Sequence, residues 1–453
     1  MSGMMAWVKG HIAPVVCLGL IVISLPTAWY FSSRWSKSIV QREQKRLEGS
    51  ASELTRVERM NYTLPRIAPD EQPVELRYAP NVAVARHFKS LIEARHDQVD
   101  RVTDEALRFN RRQPIARYAE YIAELTTNPR SPRLRTLPFD VLRDMRGERD
   151  AGAYARLLRD QRSGVDRVGL PLPERRVREV LDRRTQDFSA ERVRQRGPQD
   201  GLSPDEQAQL RDELQRLRLD VYRRRASEVS VFADPEIFYR AGRIPAAAPA
   251  QPPSDVDLFE MQWNYWITSD VLAAIEIANT SGDRRVGADA GVVKRVLAYV
   301  IDDIAELWTG SSVADFGYGD EGGGMTSSRQ AVPEENGIIG TSRSWSVTGR
   351  LTNPGNPLYD VREVRLSLVV DAERLPELLA ALPRANFMTV LEMNLHEVDV
   401  WNDLRQGYFY GSAPVVRVEL VLETIWIREW LAPLMPPNVR QRLGVTDVPV
   451  SQG

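Results

Sequence analysis

Val415–Ile427 reads VVRVELVLETIWI, and its regular alternation identifies a β-strand. Val416, Val418, Leu420, Leu422, Thr424 and Trp426 share one face. Val415, Arg417, Glu419, Val421, Glu423, Ile425 and Ile427 share the other, because successive strand side chains point to opposite faces. Residues 361–370 (VREVRLSLVV) and 387–398 (FMTVLEMNLHEV) alternate in the same way. Between them Asp371 caps a helix expected over 372–382, with Leu375, Leu378, Leu379 and Leu382 on one side. Upstream, Ser254 or Asp255 caps a helix over 256–279. It carries Phe259, Trp263, Trp266, Ile267, Val271, Ile275 and Ala278 at three- and four-residue spacing, a wide apolar face that reads as core. Residues 292–304 suit a strand by their β-branched content and a helix by their length. Taken as helix–strand–strand–helix–strand–strand, this order predicts a four-stranded antiparallel sheet with two helices on one face. The fold class is α+β, with a ferredoxin-like αββαββ sandwich over 256–430 and a tail over 431–453.

The sequence PAAAPAQPP at 245–253 reads as a linker, assigned to 245–255. It predicts a terminal module that folds without the residues before it. Those residues, 62–244, read as a mostly helical module. Asn81 caps a helix from about 82 to 110, and Ser203-Pro204-Asp205-Glu206 is a helix start with a capping box. Leu210, Leu214, Leu217 and Val221 then form a stripe with coiled-coil spacing. Residues 163–203 are charged and interrupted by prolines, and 310–358 are loop-like.

At the N-terminus, 11–31 (HIAPVVCLGLIVISLPTAWYF) contains no Asp, Glu, Lys or Arg. About 20 apolar residues suffice to cross a bilayer core, and Trp7, Trp29, Tyr30 and Trp35 flank the run as headgroup-level anchors. Residues 1–31 are therefore expected to be a short tail and a transmembrane helix. A signal peptide is the alternative, although the run exceeds an ordinary h-region and no small-x-small site follows it. Cys17 follows Pro14-Val15-Val16, which does not make a lipobox. Residues 32–61 read as a stalk helix with Val40, Leu47 and Leu54 spaced by seven. The intervening seam positions, Glu43, Ser50 and Val57, are poor, so a lone helix and a paired one both fit.

Sixty basic and 62 acidic residues leave a formal charge of −2, which gives no electrostatic case for nucleic acid. Cys17 is the only cysteine, which excludes disulfides and cysteine metal sites from the remainder. The four histidines, His11, His87, His96 and His396, form no metal-ligand pattern. The run Asp320-Glu321-Gly322-Gly323-Gly324 lacks the ending of a phosphate loop. Glu392 and Glu397 point to opposite faces of a strand and cannot act as a pair. Nothing in this pattern selects catalytic, cofactor-binding or metal-binding residues.

A short tail, one apolar helix, a helical stalk and a terminal αββαββ module resemble the PilO-like proteins of type IV pilus complexes and the GspM-like proteins of type II secretion. Tyr359-Asp360-Val361 with RLSLVVDAERLPELLAAL, then FMTVLEMNLHEVDVWNDLRQGYFYG, is similar to large uncharacterised PilO-like proteins of planctomycete-type bacteria. The module at 62–244 is larger than the stalk of a minimal member. The resemblance implies a non-enzymatic, single-pass scaffold of the inner membrane with its body in the periplasm. Charge flanking alone gives the opposite orientation, since Arg34, Lys37 and Arg42 outnumber Lys9. It also implies homodimers or heterodimers with other single-pass envelope proteins, with no cofactor and no small-molecule substrate. Candidate contacts are Val415, Arg417, Glu419, Val421 and Ile425 on the sheet, and Val40, Leu47 and Leu54 on the stalk. A binding or sensor module is the alternative, in which 310–358 and the Trp263/Trp266 region frame a ligand.

Overall fold

The computed structural model describes residues 12–58, 62–63, 75–76, 82–147, 151–196, 202–302, 348, 350, 358–443 and 445. The chain divides into two compact units, Met1–Val102 and Thr103–Gly453.

Helix α1 spans Ile12–Glu58, 47 residues in one run, or about 70 Å at 1.5 Å per residue. The expectation of a transmembrane helix is corrected here. Among the described residues, no helix is long and apolar enough to cross a membrane. The apolar run does not end as a separate span. It continues without a break into the polar stretch that carries Arg34, Lys37, Arg42 and Lys45. Trp7 and His11 lie outside the described residues. Two short strands, β1 (Tyr62–Thr63) and β2 (Glu75–Leu76), pair antiparallel, and helix α2 spans Val82–Asn110.

The next elements are helices α3 (Ala116–Thr127), α4 (Leu137–Arg146) and α5 (Ala153–Leu158), then strands β3 (Gln161–Arg162) and β4 (Val165–Gly169). Helices α6 (Glu174–Arg196) and α7 (Pro204–Glu228), strand β5 (Val229–Phe232) and helix α8 (Pro235–Ala241) follow. The capping box of α7 is present: Ser203 Oγ accepts from Glu206 N, and Glu206 accepts from Ser203 N. Helix α9 (Asp255–Ala278) starts on a second capping box made by Ser254 and Asp257. A small hairpin, β6 (Thr280–Ser281) and β7 (Arg284–Arg285), leads to β8 (Val293–Ile301) and β9 (Tyr359–Asp371). Helix α10 (Leu375–Ala385), strand β10 (Met388–His396), helix α11 (Val400–Arg405) and strand β11 (Val415–Ile427) complete the layer.

The sheet has seven strands in the order β10-β11-β9-β8-β5-β4-β3. Strands β8 to β11 form an antiparallel run, with Val415 opposite Asp371 and Ile427 opposite Tyr359 across β11 and β9, and β3 pairs antiparallel with β4. Strand β5 is parallel to both β4 and β8. This corrects the expected architecture of a four-stranded ferredoxin-like sandwich beside a separate helical module. Strands from 161–232 and from 293–427 belong to one mixed sheet. The cause is β5, whose residues VSVF are all at most 2% exposed. Val231 joins the main core, while Val229 and Phe232 join a smaller cluster with Ala226, Ala288, Val369 and Tyr410. A parallel strand buried on both faces shows no alternation.

The core confirms the aromatic stripe of α9 as packing. Trp263 and Trp266 are 0% and 1% exposed. Trp266 stacks on Trp426 at 6.3 Å and meets Trp430 edge-on at 5.3 Å. Tyr118, Tyr121, Tyr154 and Phe238, all from before residue 245, share this core. Two buried ion pairs fix β9 at its start. Arg428 donates to both carboxylate oxygens of Asp360, from Nε at 3.0 Å and from Nη2 at 2.6 Å. Arg362 donates to Asp302 at 2.8 Å while lying 4.8 Å from the ring centre of Trp263.

Candidate interaction surface

Among the described residues, the strand order leaves two sheet edges, β3 and β10. Strand β3 is only two residues long, and short edge strands offer little to pair with. Strand β10 has nine residues and hydrogen-bonds to β11 on one side. Its burial falls along its length. Met388 is buried, Thr389 to Leu391 are intermediate, and Glu392 to His396 are exposed. A bulge between Val390 and Glu392 marks the change.

The apolar residues of the exposed half continue the core face. Met393 lies opposite Leu420 and Leu395 opposite Val418, and both partners are buried. Opposed residues of an antiparallel pair share a face, so Met393 and Leu395 point to the helix side of the sheet. They are nevertheless 40% and 53% exposed. Three residues beyond the strand, Asp399 caps α11 by accepting from Asn402 N at 2.9 Å. That helix displays Val400 and Trp401, the latter 73% exposed.

The other face of the same end is polar and internally paired. His396 Nε2 lies 3.4 Å from Glu419 Oε2. Arg417 pairs with Glu419 and donates from Nε to Ser367 Oγ at 3.2 Å. Glu423 is almost fully buried and accepts from Arg350 and Thr348. Val421 and Ile425 are half-buried, opposite Arg365 and Val361 of β9. Val415 packs against the cluster that contains Tyr410. Val415, Arg417, Glu419, Val421 and Ile425 are thus gathered on one strand face, with the two charged members already satisfied by neighbours. Val40, Leu47 and Leu54 lie in the other unit, on α1, and are each more than half exposed.

Met393, Leu395, Val400 and Trp401 were not singled out by sequence reasoning. The apolar alternation of 387–398 contained the signal, but edge position appears only with the strand order. The ligand frame suggested by the sequence is not formed by Trp263 and Trp266, which are core. The 310–358 stretch lies outside the described residues except for Thr348, Arg350 and Leu358.

A cleft of about 640 Å³ opens at the ends of β4 and β5, lined in part by Arg146, Gly169, Arg225, Asp234 and Tyr239. Its cations serve the chain itself. Arg225 donates to Leu170 O at 2.9 Å, and Arg146 donates to Pro245 O. Nearby, Arg285 bridges Asp160 and Glu276 at 2.6 and 2.8 Å, with Arg167 on both carboxylates. Burial raises both carboxyl pKa values, but the Arg285 hydrogen bonds and the surrounding arginine charges outweigh it, so both lie below their ordinary range. Carboxylates held ionised in this way make poor general acids. Among the described residues, no group of three His, Cys, Asp or Glu is placed to hold a metal ion.

Comparison with protein-family models, with curated proteins and with solved structures gave no match.

Proposed function

We propose that the chain is a non-enzymatic assembly scaffold that associates through the β10–β11 end of its sheet and through its long N-terminal helix. The observation that carries this reading is the exposed half of β10. An unpaired strand edge offers a row of main-chain donors and acceptors, and here it lies beside exposed Met393 and Leu395 and close in sequence to Trp401. Aromatic and methionine side chains are enriched at the centres of protein interfaces. The candidate contacts on the β11 face are Val415, Arg417, Glu419, Val421 and Ile425. Those on the helix are Val40, Leu47 and Leu54, which remain exposed at seven-residue spacing.

The resemblance to PilO-like and GspM-like proteins carries the narrower proposal that the assembly is a pilus or secretion machine, with other cell-envelope proteins as partners. Sedimentation velocity of the full chain across a concentration series tests the self-association. A species heavier than a monomer at micromolar concentration is expected, lightened by Leu395→Glu. A chain that stays monomeric at hundreds of micromolar overturns sheet-mediated association.

A further inference from the structure

Residues 392–396 read Glu-Met-Asn-Leu-His. They are the exposed half of β10, beyond the bulge, and among the described residues nothing pairs with their outer edge. Symmetric dimers use the same patch on both copies, so residue i meets j wherever j meets i. For two antiparallel strands joined about an axis perpendicular to the sheet, opposed residues also share a face. The axis must then pass between one residue and its own copy.

Centred on Asn394, the segment is complementary to itself. Met393 of one copy falls opposite Leu395 of the other, twice, on the face that continues both cores. Glu392 falls opposite His396, twice, on the polar face. Centring on Met393 runs the ladder into the bulge at Val390/Glu392. Centring on Leu395 sets Met393 against Glu397. Hydrogen-bonded and apolar cross-strand pairs stabilise a ladder, and mismatched ones oppose it. The far edge of the sheet, β3, offers only Gln161 and Arg162.

We propose that two copies of this chain join edge to edge along β10, antiparallel and centred on Asn394, so that the two seven-stranded sheets become one. This rests on the sheet-mediated reading above and adds the partner, the edge and the register. Glu392 and His396 select the register, and Met393 and Leu395 form the apolar contact.

Cysteine crosslinking of the full chain in a Cys17→Ser background tests the register. Asn394→Cys brings two thiols together at the axis and is expected to give a disulfide dimer under mild oxidation. Neither Glu392→Cys nor His396→Cys alone should do so. Each residue's own copy would lie four positions along the partner strand, about 14 Å away at 3.4 Å per residue, beyond the ~7 Å limit for Cα atoms of a disulfide. Mixing the Glu392→Cys and His396→Cys chains should restore the crosslink. If sedimentation shows a dimer that Leu395→Glu dissociates, but the crosslinks are absent or equal at all three positions, the edge pairing and its register fail while sheet-mediated association stands. If the wild-type chain is monomeric, both fail.

Discussion

Asn110 offers the sharpest test of how the chain holds β11 in place. It is the last residue of α2 and is fully buried. Its amide nitrogen donates to Asn386 Oδ1 at 2.9 Å and to Ile425 O at 2.8 Å. Its oxygen accepts from Ile427 N and from Trp430 Nε1, each at 2.8 Å. Both donors and both lone pairs are therefore used. Asn110→Ala removes all four bonds at once. Asn386 Oδ1 keeps a bond from Phe387 N, which leaves Ile425 O, Ile427 N and Trp430 Nε1 short of a partner. Each buried group left unmade costs roughly 1–3 kcal/mol, and a water entering the space recovers part of it. The expected loss is about 4 kcal/mol, a large share of the ~5–15 kcal/mol that stabilises a typical domain. Trp430→Phe deletes one donor together with its bond and should cost far less on that account. Asn110→Asp keeps the shape but sets a carboxylate against Ile425 O and Asn386 Oδ1, so it should be no milder than alanine. Urea denaturation followed by tryptophan fluorescence reads this region directly, because Trp266, Trp426 and Trp430 pack together beside the network. A loss below 1 kcal/mol for Asn110→Ala, with an unchanged denaturant slope, refutes the reasoning.

The shared core makes a second prediction, opposite to what the 245–255 linker suggests. A fragment from Ser254 to Gly453 loses Val231 and Phe238 from the core and β5 from the sheet beside β8, so it should be molten or aggregated. Cooperative unfolding of that fragment by circular dichroism would refute one shared core. A third prediction concerns Asp270. Burial pushes its carboxyl up from 3.8 to about 6, against the pull of Arg112 and Asn386. A carboxyl that holds its proton more tightly when folded contributes stability below its unfolded value, lost as pH rises toward 6. The Asp270→Asn variant should therefore gain on the wild type between about pH 4 and 6, with no further change above that. A stability difference that does not vary with pH in denaturant titrations would contradict the assignment.

The elements that were legible in the sequence are those whose burial has a period. Strands β9 and β11 are long, with an apolar set facing the helices, so alternation reveals them. Helices α7 and α9 announce themselves through Ser203 with Glu206 and through Ser254 with its following acids, because a capping box is local chemistry. The networks around Asn110 and Arg285 were not legible. They join residues separated by more than a hundred positions, such as Asn110 with Ile425 and Arg285 with Asp160. A single asparagine or arginine carries no periodic signal of such a partner. The proline-rich stretch at 245–253 is a turn-rich connection in composition, but composition does not say whether the chain returns to the core it left.

Strand β5 links the two kinds of miss. Its four residues, VSVF, are buried on both faces, so they show neither the alternation of a half-exposed strand nor the length of a helix. Without β5, the antiparallel sheet ends on β8 and β10, and both edges look equally open. With β5 in place, β8 is interior and the sheet runs on to the two-residue β3. Strand β10 is then the one long edge among the described strands. Met393 and Leu395 are ordinary core-facing residues of an alternating strand until that order is known. Afterwards they are apolar residues facing the helix side of an uncovered edge. The short strand that the sequence conceals is thus also what turns residues 392–396 from half of a hairpin into a candidate interface.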